Sequence, residues 1–305
     1  MIIKKKKNWF IILFEWNGSV LPQLLPRLVL LFIFCSVVIY FKKELILYNV
    51  FIDPSIFTLF GIALAIFMGF RNTVSYERYW EARKLWGALL NDTRSLAIQT
   101  HTLLDRKNYK KQQTEFINLL IALVHALKHQ LRDTDPKTDM DRLLTNGYDE
   151  ELQVAVFKPV FILKELGIWI NTAKRDGKLN KMTQVAFDSN LKNLSDIIGG
   201  CERIASTPIP YTYSVLLHRT VYLYCFLLPF GFLKSMSCIL PFVIVFVGYT
   251  FVALEAIADE LEDPFGIEPN DLALESMSVM IENTLIEIDD RKITVCPESA
   301  DYYVI

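Results

Sequence analysis

The chain has 305 residues, 52% of them hydrophobic and 13% aromatic, with 32 Lys and Arg against 34 Asp and Glu and a formal net charge of -2. That is too apolar for an ordinary soluble domain and too charged for a protein lying wholly in a bilayer, so a membrane part and a soluble part are expected together. A balanced charge also excludes phosphate-driven association, so nucleic acid is not an expected partner.

Lys4, Lys5, Lys6 and Lys7 open the chain and a mostly apolar run follows. The pattern mimics a secretory leader, but Glu15 interrupts it and no small-residue cleavage site follows. The segment is therefore expected to be retained, as an amphipathic stretch at the membrane surface. Leu28–Phe41 is the first charge-free run, 14 residues, and Leu21–Leu25 can extend it toward the roughly 20 needed to cross a bilayer. Asp53 and Pro54 read as a helix cap and first-turn proline. They open a second charge-free run of 17 residues ending at Phe70. Within it Gly61, Ala65 and Gly69 repeat every fourth residue, and Ile62, Ile66 and Phe70 repeat beside them. The spacing defines two adjacent helical faces. The small face lets a neighbouring helix approach, and the bulky one faces lipid, packs in a core, or lines a narrow apolar pore.

The stretch that follows alternates charges with apolar residues at three and four spacing over Tyr76–Thr100, Phe116–Leu131, Glu150–Thr172 and Leu179–Ala205, which predicts a soluble helical bundle continuing from the membrane helices. Turns are expected at Asp135-Pro136, Asn146-Gly147 and Asp176-Gly177. Thr220–Leu233, 14 residues with Pro210–Leu217 as an extension, and Ser235–Leu254, 20 residues, are the third and fourth apolar runs, which Pro229 and Pro241 are expected to bend. From Glu255 to Ile305 there are 14 Asp and Glu against Arg291 and Lys292 alone.

The resulting division is 1–27 as an N-terminal cytosolic segment, 28–70 as a first transmembrane hairpin, 71–219 as a cytosolic helical region, 220–254 as a second hairpin and 255–305 as an acidic tail, all one unit of 1–305. Lys and Arg cluster before the first span and after the second, so both termini and the central region are expected in the cytoplasm of a multi-pass cell-membrane protein.

Enzymatic signals are missing. There is no G-x-S-x-G, no P-loop and no paired Ser/His/Asp pattern. The five cysteines form no CxxC pair, so neither a disulfide framework nor a metal site is expected. His125 and His129 stand four apart, the spacing by which two imidazoles share a metal, but no third ligand is near in sequence and a structural pair is the simpler reading. Asp259, Glu260, Glu262 and Asp263 lack the spacing and central glycine of a calcium loop. No cofactor is expected.

GFRNTVSYERYWEARKLWG, from Gly69 to Gly87, closely resembles the signature that follows the second membrane helix of bestrophins, particularly their bacterial members. LKHQLRDTDP from Leu127, GGCERIASTPIPYTY from Gly199 and ELEDPFGIEPNDL from Glu260 extend the likeness over nearly the whole chain. The resemblance implies an all-α fold, four transmembrane helices continuous with a cytosolic helical bundle, assembled as a homopentamer around one central pore. It places the family's neck on Ile62, Ile66 and Phe70 and a second, cytosolic aperture near Met182.

Inorganic ions, the bilayer and further copies of the chain are then the expected partners. Five copies of each neck residue would form stacked apolar rings that resist wetting and offer ions no ligands. The family default is passive anion conduction, chloride above all, and Arg71 beside the neck is expected to favour anions at the inner mouth. Its alternative role is a membrane-interface anchor. Cation conduction through the same fold is the competing reading, since the acidic tail could line the cytosolic route. A non-conducting scaffold or sensor is a second function class, and a membrane enzyme using His125 or His129 a third. In the loop after the last span, proline and glycine replace the longer acidic run of calcium-activated members, so Glu262, Asp263, Asn270 and Asp271 are not expected to form a calcium cage. The apolar ending Tyr302, Tyr303, Val304 and Ile305 either packs, frays or plugs the exit.

Overall fold

A computed structural model describes Phe10, Trp16 and residues 18–104, 106–144, 150–235 and 238–293. Lys4 to Lys7, the Asn146-Gly147 turn, Cys296 and the ending from Glu298 lie outside the described residues. Every regular element among the described residues is helical: α1 (Leu21–Tyr40), α2 (Lys42–Leu47), α3 (Pro54–Leu103), α4 (Arg106–Arg132), α5 (Lys137–Leu143), α6 (Glu150–Val154), α7 (Lys158–Arg175), α8 (Lys181–Ser206), α9 (Tyr211–Phe232), α10 (Leu240–Glu262) and α11 (Leu274–Ile288). The chain forms two compact units, one from the residues up to Tyr79 with Pro208–Asp263, the other from Trp80–Thr207 with the residues from Pro264 onward. The single 50-residue helix α3 passes from the first into the second.

The first unit holds four helices long and apolar enough to cross a membrane: α1, the start of α3, α9 and α10. Asp53 caps α3 as expected, its Oδ1 accepting the Ser55 N–H at 2.8 Å and the Ser55 hydroxyl at 2.6 Å. The core interleaves Leu28, Leu31 and Cys35 of α1 with Phe57, Leu64 and Met68 of α3, Val221 and Cys225 of α9, and Ile244 of α10. Close packing is visible at Gly231, where a Cβ would come within 2.5 Å of the Phe57 ring, so no other residue fits without displacing it.

One proline expectation changes. Pro229 lies inside α9, but Pro241 occupies the first turn of α10, where its missing N–H costs no hydrogen bond, so it starts the helix rather than bending it. The helix that holds the fourth apolar run accordingly extends from Leu240 to Glu262.

The second unit is built on α4, whose Phe116, Ile117, Leu120, Ile121, Leu123 and Val124 are all buried. Trp86, Leu89 and Leu96 of α3 and Phe187 and Leu194 of α8 are buried in the same unit. Asn180 starts α8 with a capping box: its Oδ1 accepts the Thr183 N–H at 2.8 Å while Thr183 Oγ1 accepts the Asn180 N–H at 3.0 Å. Glu150–Thr172 is not one helix. It breaks into α6 and α7 because Pro159 cannot continue the upstream hydrogen bonding and instead sits in the first turn of α7.

The supposed acidic tail contains α11, with Leu274, Ile281 and Leu285 buried. Its acids are matched at a distance: Glu282 takes Arg142 and the His125 Nε2 at 2.8 Å, and Glu275 takes Lys128 Nζ at 2.8 Å.

Candidate pore helix and its inner end

The membrane half of α3 has one packed face. Phe57, Leu64, Met68, Arg71 and Ser75 are buried, at the three, four and seven spacing of a helix stripe. Ile62, Ile66 and Phe70 are 57%, 54% and 62% exposed. At 3.6 residues per turn their stripe lies about 180° round the helix from the packed face. Among the described residues nothing in the chain's own membrane unit covers it. Between the two faces run the small residues: a Cβ at Gly61 would stand 2.9 Å from Tyr224 Oη, whereas Gly69 has no atom that near and Ala65 is exposed. Only Gly61 therefore serves packing within the chain.

Continuing the Ile62, Ile66 and Phe70 stripe inward by the same geometry reaches Thr73 and then Glu77, both exposed. The Thr73 hydroxyl donates to Gly69 O at 3.0 Å. Glu77 escaped the sequence reading, although its spacing of seven from Phe70 was the signal that places it on this face.

Arg71 is not the open inner-mouth charge expected from its position beside the neck. One residue after Phe70 is 100° round the helix, and Arg71 accordingly joins the packed face with its side chain 1% exposed. Its Nη2 is ion-paired with Asp259 Oδ1 and lies 3.7 Å from Glu262 Oε2, both on α10. Glu262 is further held as its Oε1 accepts the Ile209 N–H at 3.0 Å and its carbonyl accepts Arg78 Nε–H at 3.1 Å. The acidic run at the end of α10 thus neutralises Arg71 and fastens the inner end of α3. Higher on α10, Glu255 is buried and pairs with His218 Nδ1 at 2.7 Å.

Of the loop acids, Asp271 is spent locally, its Oδ2 accepting the Glu268 N–H at 2.7 Å. Among the described residues no group of three or more His, Cys, Asp and Glu side chains is placed to hold a metal. His125 and His129 share Asp139 at 3.1 and 3.0 Å. Lys128 also reaches Asp139, at 3.2 Å. Burial alone would push the Asp139 carboxyl up, but hydrogen bonds from both imidazoles and the Lys128 charge hold it well below the usual carboxylate range. Glu282 is held at about 2 against the same burial by His125 and Arg142. Met182, in the first turn of α8, is 85% exposed.

A family model described as Bacterial/Fungal Bestrophin protein matches residues 1–287. The chain is 47% identical over 288 residues to a voltage-dependent anion channel-forming protein of Ralstonia nicotianae, covering 94% of each chain. It is 38% identical over 292 residues to the voltage-dependent anion channel-forming protein YneE of Escherichia coli K12, covering 95% of each. A crystal structure of a bacterial bestrophin homolog from Klebsiella pneumoniae superposes with a TM-score of 0.85 at 38% identity, over 88% of this chain and 99% of that one.

Proposed function

The chain belongs to the bacterial and fungal bestrophin family, and on that premise we propose that it is an anion channel whose neck is made by Ile62, Ile66 and Phe70. The family is one of channels, and the relatives named above are called anion channel-forming. The observation that carries the neck assignment is the exposure of these three side chains on the face of α3 turned away from the chain's own packing. An apolar stripe uncovered in one chain is either against lipid or against copies of itself, and fivefold symmetry turns it into three stacked rings. In this homopentamer Ala65 and Gly69 face the neighbouring subunit, which their small size allows to come close. Met182 forms the cytosolic constriction. The protein sits in the cell membrane with both termini in the cytoplasm, a reading supported by the Lys and Arg distribution.

Cation conduction is a second reading with specific support: Arg71 is neutralised by Asp259, while Glu77 brings a carboxylate to the neck face. Chloride flux from proteoliposomes, with Ile62→Ala, Ile66→Ala and Phe70→Ala beside wild type, tests the neck. Widening an apolar ring eases wetting, so each variant is expected to raise flux several-fold. Flux indifferent to all three would put the stripe against lipid.

A further inference from the structure

We propose that the second unit carries a binding site for a small organic cation, an ammonium group on an apolar or aromatic body. The site is a cavity of about 680 Å³ walled by α4, α6, α7 and the turn after α7. That volume lies within the usual range for small-ligand pockets. None of its described lining residues is Ile62, Ile66, Phe70 or Met182, the constrictions proposed above.

Charge sets the sign of the ligand. Glu115, Glu151, Glu165 and Asp176 line the cavity, and Lys178 is the one basic residue among the described lining residues. An anion would meet a carboxylate excess, and a neutral apolar ligand would make no use of it. A bare metal ion finds no group of three ligating side chains among the described residues.

Aromatic rings supply the rest of the recognition. Trp169 is held by the core, its ring tilted at 44° to that of Phe116 with centroids 4.5 Å apart, and Phe116 in turn meets Phe187 edge-on at 5.9 Å. The other rings of the wall are Tyr109 and Phe161. A cation over such faces is attracted by the ring quadrupole. The wall already shows this chemistry on its own side chains: Lys178 Nζ stands 4.8 Å over the Tyr109 ring and 2.7 Å from Asp176 Oδ2. Ring and carboxylate together therefore accommodate an ammonium in this wall.

An anion is opposed by the carboxylates, a neutral ligand makes no use of them and a metal ion lacks its ligand group, whereas an organic ammonium uses both ring and carboxylate.

Titration calorimetry on the full-length protein in lipid nanodiscs tests the site, with phenethylammonium, phenylacetate and 2-phenylethanol as probes of one body and three charges. The expected result is saturable binding of phenethylammonium, one per chain, at least tenfold tighter than either of the others. Glu115→Gln and Glu165→Gln, both at solvent-reached positions, are expected to weaken it several-fold each, while Ile66→Ala leaves it unchanged. Equal or tighter binding of phenylacetate or phenylethanol would overturn the assignment. So would no saturable binding at millimolar concentration, indifference to both Glu variants, or a stoichiometry of one per oligomer abolished by Ile66→Ala, which would place the ligand in the pore.

Discussion

Arg71 on α3 and Asp259 on α10 form an ion pair in which the two partners differ sharply in exposure: the guanidinium is 1% exposed and the carboxylate 61%. The nearby Glu262 carboxylate, at 3.7 Å, is the other acid within reach, and Arg71 Nε and Nη1 are buried without partners. The pair therefore matters to Arg71 more than to Asp259.

Removing the carboxylate is expected to cost more than removing the base. Asp259→Ala leaves a buried guanidinium short of a partner, a penalty of about 1–3 kcal/mol. Arg71→Met leaves Asp259 free to turn to water and fills the same space, so its cost is expected to be the smaller. Thermal denaturation of the two purified variants orders them. Arg71→Met should also leave the reversal potential unchanged, because the charge does not face the pore. A shift toward cations in that variant would return Arg71 to the inner mouth.

Glu77 lies on the Ile62, Ile66 and Phe70 face of α3, so in the proposed pentamer five copies would form a ring of negative potential. Glu77→Gln is expected to raise chloride conductance severalfold at low salt and by much less at 1 M, where the screening length falls to about 3 Å. Single-channel conductance at two ionic strengths reads this directly. An equal effect at both would mean that Glu77 acts through structure and not through its field.

Gly69 has open space where a side chain would stand. Gly69→Leu is therefore expected to leave the folded chain intact, with a helix-propensity gain of about 1 kcal/mol, while blocking the approach of a neighbouring subunit. Mass measurement in detergent should find the variant dissociated to smaller species. An intact oligomer would place the small face against lipid.

The carboxylate network of the second unit sets a pH dependence. Burial disfavours the His125 imidazolium, but Asp139 and Glu282 at its two nitrogens outweigh that and raise its pKa. A raised pKa stabilises fully below the unfolded value, about 6.5, and is lost as pH rises through the folded one. Glu282, lowered to about 2, stabilises above its unfolded value and is lost as pH falls toward 2. The network is thus complete between about pH 4.5 and 6.5. The thermal midpoint of wild type is expected to fall from pH 6 to pH 9 by more than that of His125→Gln, and parallel falls would remove His125 from the account.

The membrane helices were legible because α3 carries its cap, its first-turn proline and two uninterrupted stripes within one short run. Arg71 was misjudged although the signal was present, since Leu64, Met68 and Ser75 share its spacing and mark the packed face. Helix α11 was not legible. Glu275 and Glu282 look like tail charges until Lys128, His125 and Arg142, remote in sequence, are brought against them, and local pattern carries no record of such partners. Pro241 gave the other lesson: a proline within an apolar run marks a helix start as readily as a bend, and the first turn of α10 decides between them.

The most direct test of the central claim is the reversal potential of the purified wild type in planar bilayers under a tenfold potassium chloride gradient, with an Ile62→Ala, Ile66→Ala, Phe70→Ala triple variant beside it. An anion channel gated by an apolar neck predicts reversal close to the chloride equilibrium potential and a larger current in the triple variant. Reversal at the potassium potential would contradict anion conduction and install the cation reading, and silence of both proteins as verified pentamers would contradict conduction altogether.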